Sequence, residues 1–377
     1  MKPFLLALAL LAGAQAQLGQ PILSSLFSKS PTCTVSDTET CKLSEMDSSP
    51  GTSTIVHPGG DTRCIFSYSS DYEFQVWPGD NDKLMDYTIV HIMYCSGDAH
   101  AGNSTRSYND LRGQPVRQVG AVNVQTTLDW VTSQSDFWSE DGLTDLVISG
   151  ASAGSLGAQV WADNILSDFK TSLPYERAAV IPDSYIGVFP DGSQGPTMID
   201  FGVCAGGTLK NSPDLLDKCN NGELTLQDIS GAAMSRHPDV PFAWIQSKRD
   251  IVQKAYYDAI GLTVDLELDA IGDVEFFKDA NQIIADYTSQ YKNAVSYIVD
   301  SLMHTYTLLP IVYTASSRGV AGGGDDMSMI DWLAQFPMKT GTTVESVCDG
   351  QVVDLDEHPK WFTNYCAAEA QSEYTQE

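Results

Sequence analysis

The sequence predicts an α/β fold, a mostly parallel sheet covered by helices. Short runs rich in β-branched and aromatic residues, each ended by Gly, Ser, Asp or Cys, have the near-continuous apolar character of strands buried on both faces. Helical patterns lie between them, and this alternation is what a parallel sheet with helical crossovers requires. One run, Asp145-Leu146-Val147-Ile148-Ser149, passes through a glycine-rich turn directly into a helical pattern. Hydrophobic residues make up 42% of the 377-residue chain and aromatic residues 10%, enough for a sizeable core.

The chain opens with Lys2, an apolar run from Phe4 to Leu11, and Ala14-Gln15-Ala16 ahead of Gln17. This reads as a leader over residues 1–16, because a membrane anchor needs about 20 apolar residues and a basic flank. No later stretch is long enough to span a membrane. The expected mature chain starts near Gln17 and is secreted, either outside the cell or into a vacuolar lumen, where disulfides form. Residues 17–50 are rich in Ser, Thr and Asp and read as an irregular lead-in pinned by a disulfide.

Residues 51–345 carry the α/β pattern as one domain. The strand-like runs are Ser53-Thr54-Ile55-Val56, the segment from Tyr87 to Tyr94, the segment from Asp145 to Ser149, and Phe242-Ala243-Trp244-Ile245-Gln246. The clearest helical patterns run from Val119 to Ser133 and from Leu156 to Phe169. Gly322-Gly323-Gly324 reads as a flexible loop. Residues 346–377 form a disulfide-bearing extension whose tail, from Gln371, is polar and expected to be mobile.

Cys33, Cys41, Cys64, Cys95, Cys204, Cys219, Cys348 and Cys366 are even in number, as four disulfides require. Sequence alone leaves many connectivities open, and the simplest pairs neighbours: 33 with 41, 64 with 95, 204 with 219, and 348 with 366. None forms a C-x-x-C unit of the zinc or redox type, and no metal site is expected. Asn103-Ser104-Thr105 is an N-glycosylation sequon, whereas Asn211-Ser212 is followed by Pro213. With 49 acidic and 21 basic side chains the net charge is −28, which excludes a phosphate-tracking nucleic-acid surface.

The most informative segment is Gly150-Ala151-Ser152-Ala153-Gly154, a G-x-S-x-G turn between a strand and a helix. A serine on such a sharp turn needs small neighbours, and the following helix N-terminus, with the Ala153 N–H, faces the oxygen that turns negative during nucleophilic attack. A dinucleotide-binding reading is disfavoured, because the glycines are not spaced G-x-G-x-x-G. An activated serine needs a base, and in α/β-hydrolase order an acid and then a histidine follow it. His57, His91 and His100 precede Ser152, and His237 leaves little room for an acid-bearing strand before it. His304 follows an apolar run, and is preferred over His358, which sits in the acidic turn Asp354-Leu355-Asp356-Glu357. For the acid, Asp250 ends the loop after the Phe242 run, with Asp183 after the preceding strand as the alternative. An early loop, His57-Pro58-Gly59-Gly60-Asp61-Thr62-Arg63-Cys64, has the glycines that let backbone N–H groups approach a substrate as second oxyanion donor.

These segments together resemble the pectin acetylesterase and Notum family of secreted carboxylesterases, over roughly residues 50 to 340. The landmarks are the His57 to Cys64 loop, Tyr94-Cys95-Ser96-Gly97-Asp98-Ala99-His100-Ala101-Gly102, the Ser152 turn, Ser247-Lys248-Arg249-Asp250, and Met303-His304. The resemblance implies an α/β-hydrolase with Ser152, Asp250 and His304 as triad. It further implies an oxyanion hole from Gly60, Asp61 and Ala153, and substrate contacts from Gly59, Tyr94, Ser96 and Asp98. Asp61 stands where the family has a third glycine, and one additional residue precedes Cys64. The sequon at Asn103 abuts the segment expected to border the pocket.

The expected function is a secreted serine esterase that removes O-acyl groups, acetyl above all, from a carbohydrate or glycoconjugate, with no metal or organic cofactor. The alternatives are a Notum-like deacylase of a lipidated protein, and a catalytically idle binding module on the same fold. The oligomeric state is left open.

Overall fold

A computed structural model of the chain describes residues 2–9, 32–34, 41–46, 52–59, 61–64, 74–78, 87–109, 113–138, 140–263, 270–307, 316–318, 326–353, 365–367 and 373–376. Ten strands form one sheet: β1 (Lys2–Ala9), β2 (Thr32–Thr34), β3 (Thr54–His57), β4 (Phe74–Pro78), β5 (Thr88–Met93), β6 (Leu143–Ala151), β7 (Tyr175–Asp183), β8 (Phe242–Ser247), β9 (Ala294–Val299) and β10 (Val347–Cys348). Their order across the sheet is β10-β9-β8-β7-β6-β1-β5-β4-β3-β2. Every pairing from β10 across to β5 is parallel. Beyond it β4 is antiparallel to both neighbours, and β2 is parallel to β3.

The strands are buried on both faces, and alternate residues divide between two cores. Leu146, Ile148, Ala178, Val180, Phe242 and Trp244 face one core, shared with α1 (Gly120–Ser133), α2 (Ala153–Ser172), α5 (Leu226–Arg236) and α7 (Asp273–Gln290). Val147, Ala179, Ile181, Ala243 and Ile245 face the other, which is closed by Trp332, Phe336, Met338, Val344 and Tyr374. The helices α3 (Gln194–Phe201), α4 (Pro213–Asn220), α6 (Ile251–Thr263) and α8 (Met329–Leu333) complete the chain's described helices. The strand and helix expectations hold closely, since both rest on side-chain periodicity.

One expectation needs correction. The tail beyond Gln371 is polar in composition, yet Glu373–Thr375 pairs antiparallel with Thr343–Glu345, and Tyr374 is buried in the second core. One aromatic side chain at an alternating position is enough to dock a polar strand. Lys2–Ala9, read as part of a leader, stands as β1 between β5 and β6. An apolar run of this length meets the pattern of a buried parallel strand as well as that of a leader. A chain cleaved after Ala16 has no β1, and β5 and β6 then meet each other or a different strand.

Cys33–Cys41, Cys64–Cys95 and Cys204–Cys219 are disulfides, as neighbour pairing predicts. Cys348 is disulfide-bonded too, and the side chain of Cys366 lies outside the described residues, as do Gly322-Gly323-Gly324 and His358. Among the described residues no helix is long and apolar enough to cross a membrane.

Beyond β8, Lys248 is fully buried, donates from Nζ to the Asp349 carbonyl and lies 5.1 Å from the centre of the Phe277 ring. Burial pushes its ammonium down to about 8, against the weaker upward pull of Asp300 and Asp349. An unfolded chain keeps this proton up to about 10.4, so between those values unfolding takes up a proton and stability rises with pH. The expected rise is about 3 kcal/mol, and it should be absent in Lys248→Met, which at neutral pH escapes the cost of a buried charge. Urea unfolding of both proteins from neutral to alkaline pH checks this. Parallel stability profiles would mean that Lys248 stays charged in the folded protein.

Candidate active site

The strands β6 to β9 are neighbours and parallel, so their C-terminal ends share one edge of the sheet. Ser152 follows β6, Asp183 ends β7, Asp250 follows β8 and His304 follows β9. Residues spread over more than 150 positions of sequence are thereby gathered on one edge.

Ser152 sits between β6 and α2 with φ +60° and ψ −126°. A left-handed φ at a residue with a side chain costs on the order of 1–3 kcal/mol, and it persists only where surrounding bonds dictate it. Here the Ser152 N–H donates to the Asp183 carbonyl at 2.9 Å, and the Ser152 carbonyl accepts from Ser155 N–H at 2.8 Å. Ala153 opens α2, where a first-turn N–H has no helical acceptor and is free to meet an anion. Further along α2, a Cβ on Gly157 would lie 3.1 Å from the His100 side chain, so a glycine permits the close approach of helix and loop.

His304 Nδ1 lies 2.8 Å from Asp250 Oδ2 and 3.0 Å from Oδ1. The Asp250 carboxylate is fully buried, and it also accepts from the N–H groups of Val252 and Gln253 at 3.0 and 2.9 Å, which caps the start of α6. Gln253 Nε2 donates to Oδ2 at 2.8 Å. The sequence reading does not include Gln253, although the Asp250-x-x-Gln253 spacing of a helix start signals it. With Nδ1 held as the donor to a carboxylate, Nε2 is the acceptor, and it is buried with no hydrogen-bond partner. No hydrogen bond joins it to Ser152 Oγ.

The loop carrying His304 is fixed from two sides. Ser247 Oγ donates to the Met303 carbonyl at 2.6 Å, and Ile251 N–H donates to the Leu302 carbonyl at 3.2 Å. From β7, Asp183 Oδ2 accepts from the N–H groups of Tyr306 and Thr307 and from Thr307 Oγ1, each at 2.7 Å. Asp183, the alternative acid, therefore makes no contact with the imidazole. Burial pushes its carboxyl above the ordinary carboxylate range, against four donors that pull it down.

A second serine, histidine and aspartate lie together on α2 and after α5, but they cannot act as a relay. His237 Nε2 is 3.0 Å from Asp163 Oδ1 and 3.3 Å from Ser167 Oγ, so both partners share one ring nitrogen.

The other expected site residues divide. Tyr94 packs against His100 with ring centres 4.7 Å apart, and its hydroxyl accepts from Ala99 N–H at 3.0 Å. Burial raises the Tyr94 and Tyr185 phenols, and Tyr256 of α6 raises both further. Ser96 and Asp98 turn inward: Ser96 Oγ donates to Asp98 Oδ1 at 2.6 Å, and Asp98 Oδ2 accepts from Gly120 N–H at 2.7 Å, which caps α1. Both are buried, with their polar atoms engaged in the fold.

The expected oxyanion loop follows β3. β3 stands four strand spacings from β6, about 19 Å, with β4, β5 and β1 between. Gly59 and Asp61 are exposed, Gly60 lies outside the described residues, and the loop is tied to Cys95 and to Asn123 of α1. Lateral strand order decides which loops meet, and no local pattern encodes it. Ala153, another expected oxyanion donor, directly follows Ser152. Asn103 is exposed against the Gly202–Ala205 turn, which leaves it open to a glycan.

A cavity of about 310 Å³ lined by Cys41, Lys42, Trp130, Gln134 and Phe137 lies at the far end of α1 and borders none of these residues. No family model matches the chain, and no curated protein matches it.

Proposed function

We propose that the protein is a secreted serine carboxylesterase of the α/β-hydrolase fold that hydrolyses O-acyl esters, acetyl above all, on a carbohydrate or glycoconjugate. The observation that carries this reading is the buried, unpartnered His304 Nε2, oriented by Asp250 on the same sheet edge as the strained Ser152. In this reading Ser152 Oγ attacks the ester carbonyl while His304 Nε2 takes its proton. Asp250 keeps Nδ1 protonated and stabilises the imidazolium. The Ala153 N–H at the start of α2 meets the developing oxyanion. His304 then returns the proton to the departing alcohol, and water releases the acid from the acyl-enzyme by the reverse path.

A second reading, deacylation of a lipidated protein, is favoured by the apolar side chains beside His304. Ile251, Leu302 and Met303 are 59, 49 and 43% exposed and adjoin one another, Ile251 N–H donating to the Leu302 carbonyl, so they offer an apolar surface to an acyl chain. Incubation with a fluorophosphonate probe followed by peptide mapping tests the shared chemistry, with Ser152 the expected labelled residue. Absence of label in folded protein would remove both readings and leave a binding module. Turnover on esters of rising chain length separates the two, since the lipid reading requires it to increase.

A further inference from the structure

Three residues with side chains adopt left-handed backbone at this sheet edge: Ser152, Ser184 and Thr305, with φ of +60°, +62° and +66°. A β-branched threonine in that region is a marked outlier. All three belong to one hydrogen-bond network centred on Asp183. The Asp183 carbonyl accepts from Ser152 N–H at 2.9 Å, and Oδ1 accepts from Ser184 Oγ at 2.7 Å. Ser184 Oγ in turn accepts from Thr305 N–H at 2.8 Å. Ser184 N–H donates to the Ile245 carbonyl at 2.8 Å, which ties the network into β8. Oδ2 holds Tyr306 and Thr307 as described above. One buried residue is thus bonded to the amide of Ser152 and to the chain immediately after His304.

We propose that Asp183 is a positioning residue, whose carboxylate holds the His304 loop at a fixed place relative to Ser152. The proposal rests on the esterase reading for its kinetic consequence, and on the network alone for its structural one. His304 already has its acid in Asp250, so Asp183 serves a different end. Asp250 orients the ring, and Asp183 sets where the loop bearing that ring stands. Asparagine suits the test, because it fills the same space while its neutral carbonyl oxygen at the place of Oδ2 binds the Tyr306 and Thr307 donors more weakly than a carboxylate does. Its amide group then meets Ser184 Oγ, and the hydroxyl proton that bonded Oδ1 loses its acceptor.

The test uses Asp183→Asn in the full chain, with two readouts. On a small activated acetate ester, kcat is expected to fall on the order of 100-fold with KM unchanged, the cost of a misplaced base. Amide hydrogen exchange at Tyr306 and Thr307 is expected to accelerate about tenfold or more. Exchange at the wild-type rate would overturn the proposal, and so would fast exchange with undiminished kcat. A wild-type protein that neither hydrolyses the ester nor takes a fluorophosphonate label defeats the esterase reading, and the exchange readout still judges the network. Should Asp183→Asn fail to fold, Ser184→Ala removes the Thr305 acceptor and the donor to Asp183 Oδ1 while keeping the Asp183 carboxylate. It is expected to lower kcat about tenfold with KM unchanged, and a wild-type kcat there overturns the proposal.

Discussion

Replacing Ser152 by Ala is expected to lower kcat about 10⁵-fold, His304→Ala to do the same, and the double variant to lose little more. The three coincide because each abolishes the same acylation step. Neither change should unfold the protein. The bonds that hold Ser152 in its turn run through its backbone, and alanine keeps them. In His304→Ala the buried Asp250 carboxylate still accepts from Val252, Gln253 and the Gln253 side chain, so it is not stranded. Steady-state kinetics on one soluble ester, beside thermal unfolding of each variant, decides the matter. Near wild-type hydrolysis by Ser152→Ala would remove the assignment, and additive losses in the double variant would mean that the two residues do not share a step.

The second large effect is expected from Asp250→Asn, a fall in kcat on the order of 10⁴. Asparagine can still accept from the Val252 and Gln253 N–H groups, so the cap of α6 survives. Facing His304, however, it presents an amide N–H where a carboxylate oxygen stood. Nδ1 must then accept, the ring proton moves to Nε2, and the nitrogen that should take the serine proton has none of its lone pair left. The stability cost should be about 1–3 kcal/mol, because the buried Gln253 Nε2 that donates to Oδ2 loses its acceptor as well. The comparison with Asp183→Asn ranks the two carboxylates. A greater loss at Asp183 than at Asp250, both proteins being folded, would show that the acid had been misassigned.

Much of this site was legible from local chemistry. The strained serine needs small residues on either side, and Gly150, Ala151, Ala153 and Gly154 provide them. The acid and base stand after successive apolar runs, so chain order narrows the acid to Asp250 or Asp183 and the base to His304 or His358. The Gly59 loop and the inward turn of Ser96 and Asp98 were not legible. Glycines and hydroxyls mark a tight turn equally whether it faces a substrate or caps a helix, as Asp98 caps α1. Likewise an aspartate after a strand looks the same whether it orients an imidazole or fastens a loop.

The sequence by itself determined the α/β class, most strand and helix positions and the strand-to-helix turn at Ser152, and it favoured the neighbour pairing that the disulfides of Cys33, Cys41, Cys64, Cys95, Cys204 and Cys219 adopt. Each is written in periodicity, in spacing or in residue size over a few positions. Only the tertiary structure decided that Lys2–Ala9 separates β5 from β6, that Tyr374 docks the tail, and that Asp183 reaches Thr307 across 124 positions of chain. Parallel strands are joined by crossovers, so neighbours in the sheet are strangers in sequence. Which of them lie side by side is settled by how the whole set buries its two faces, and no short stretch of residues carries that information.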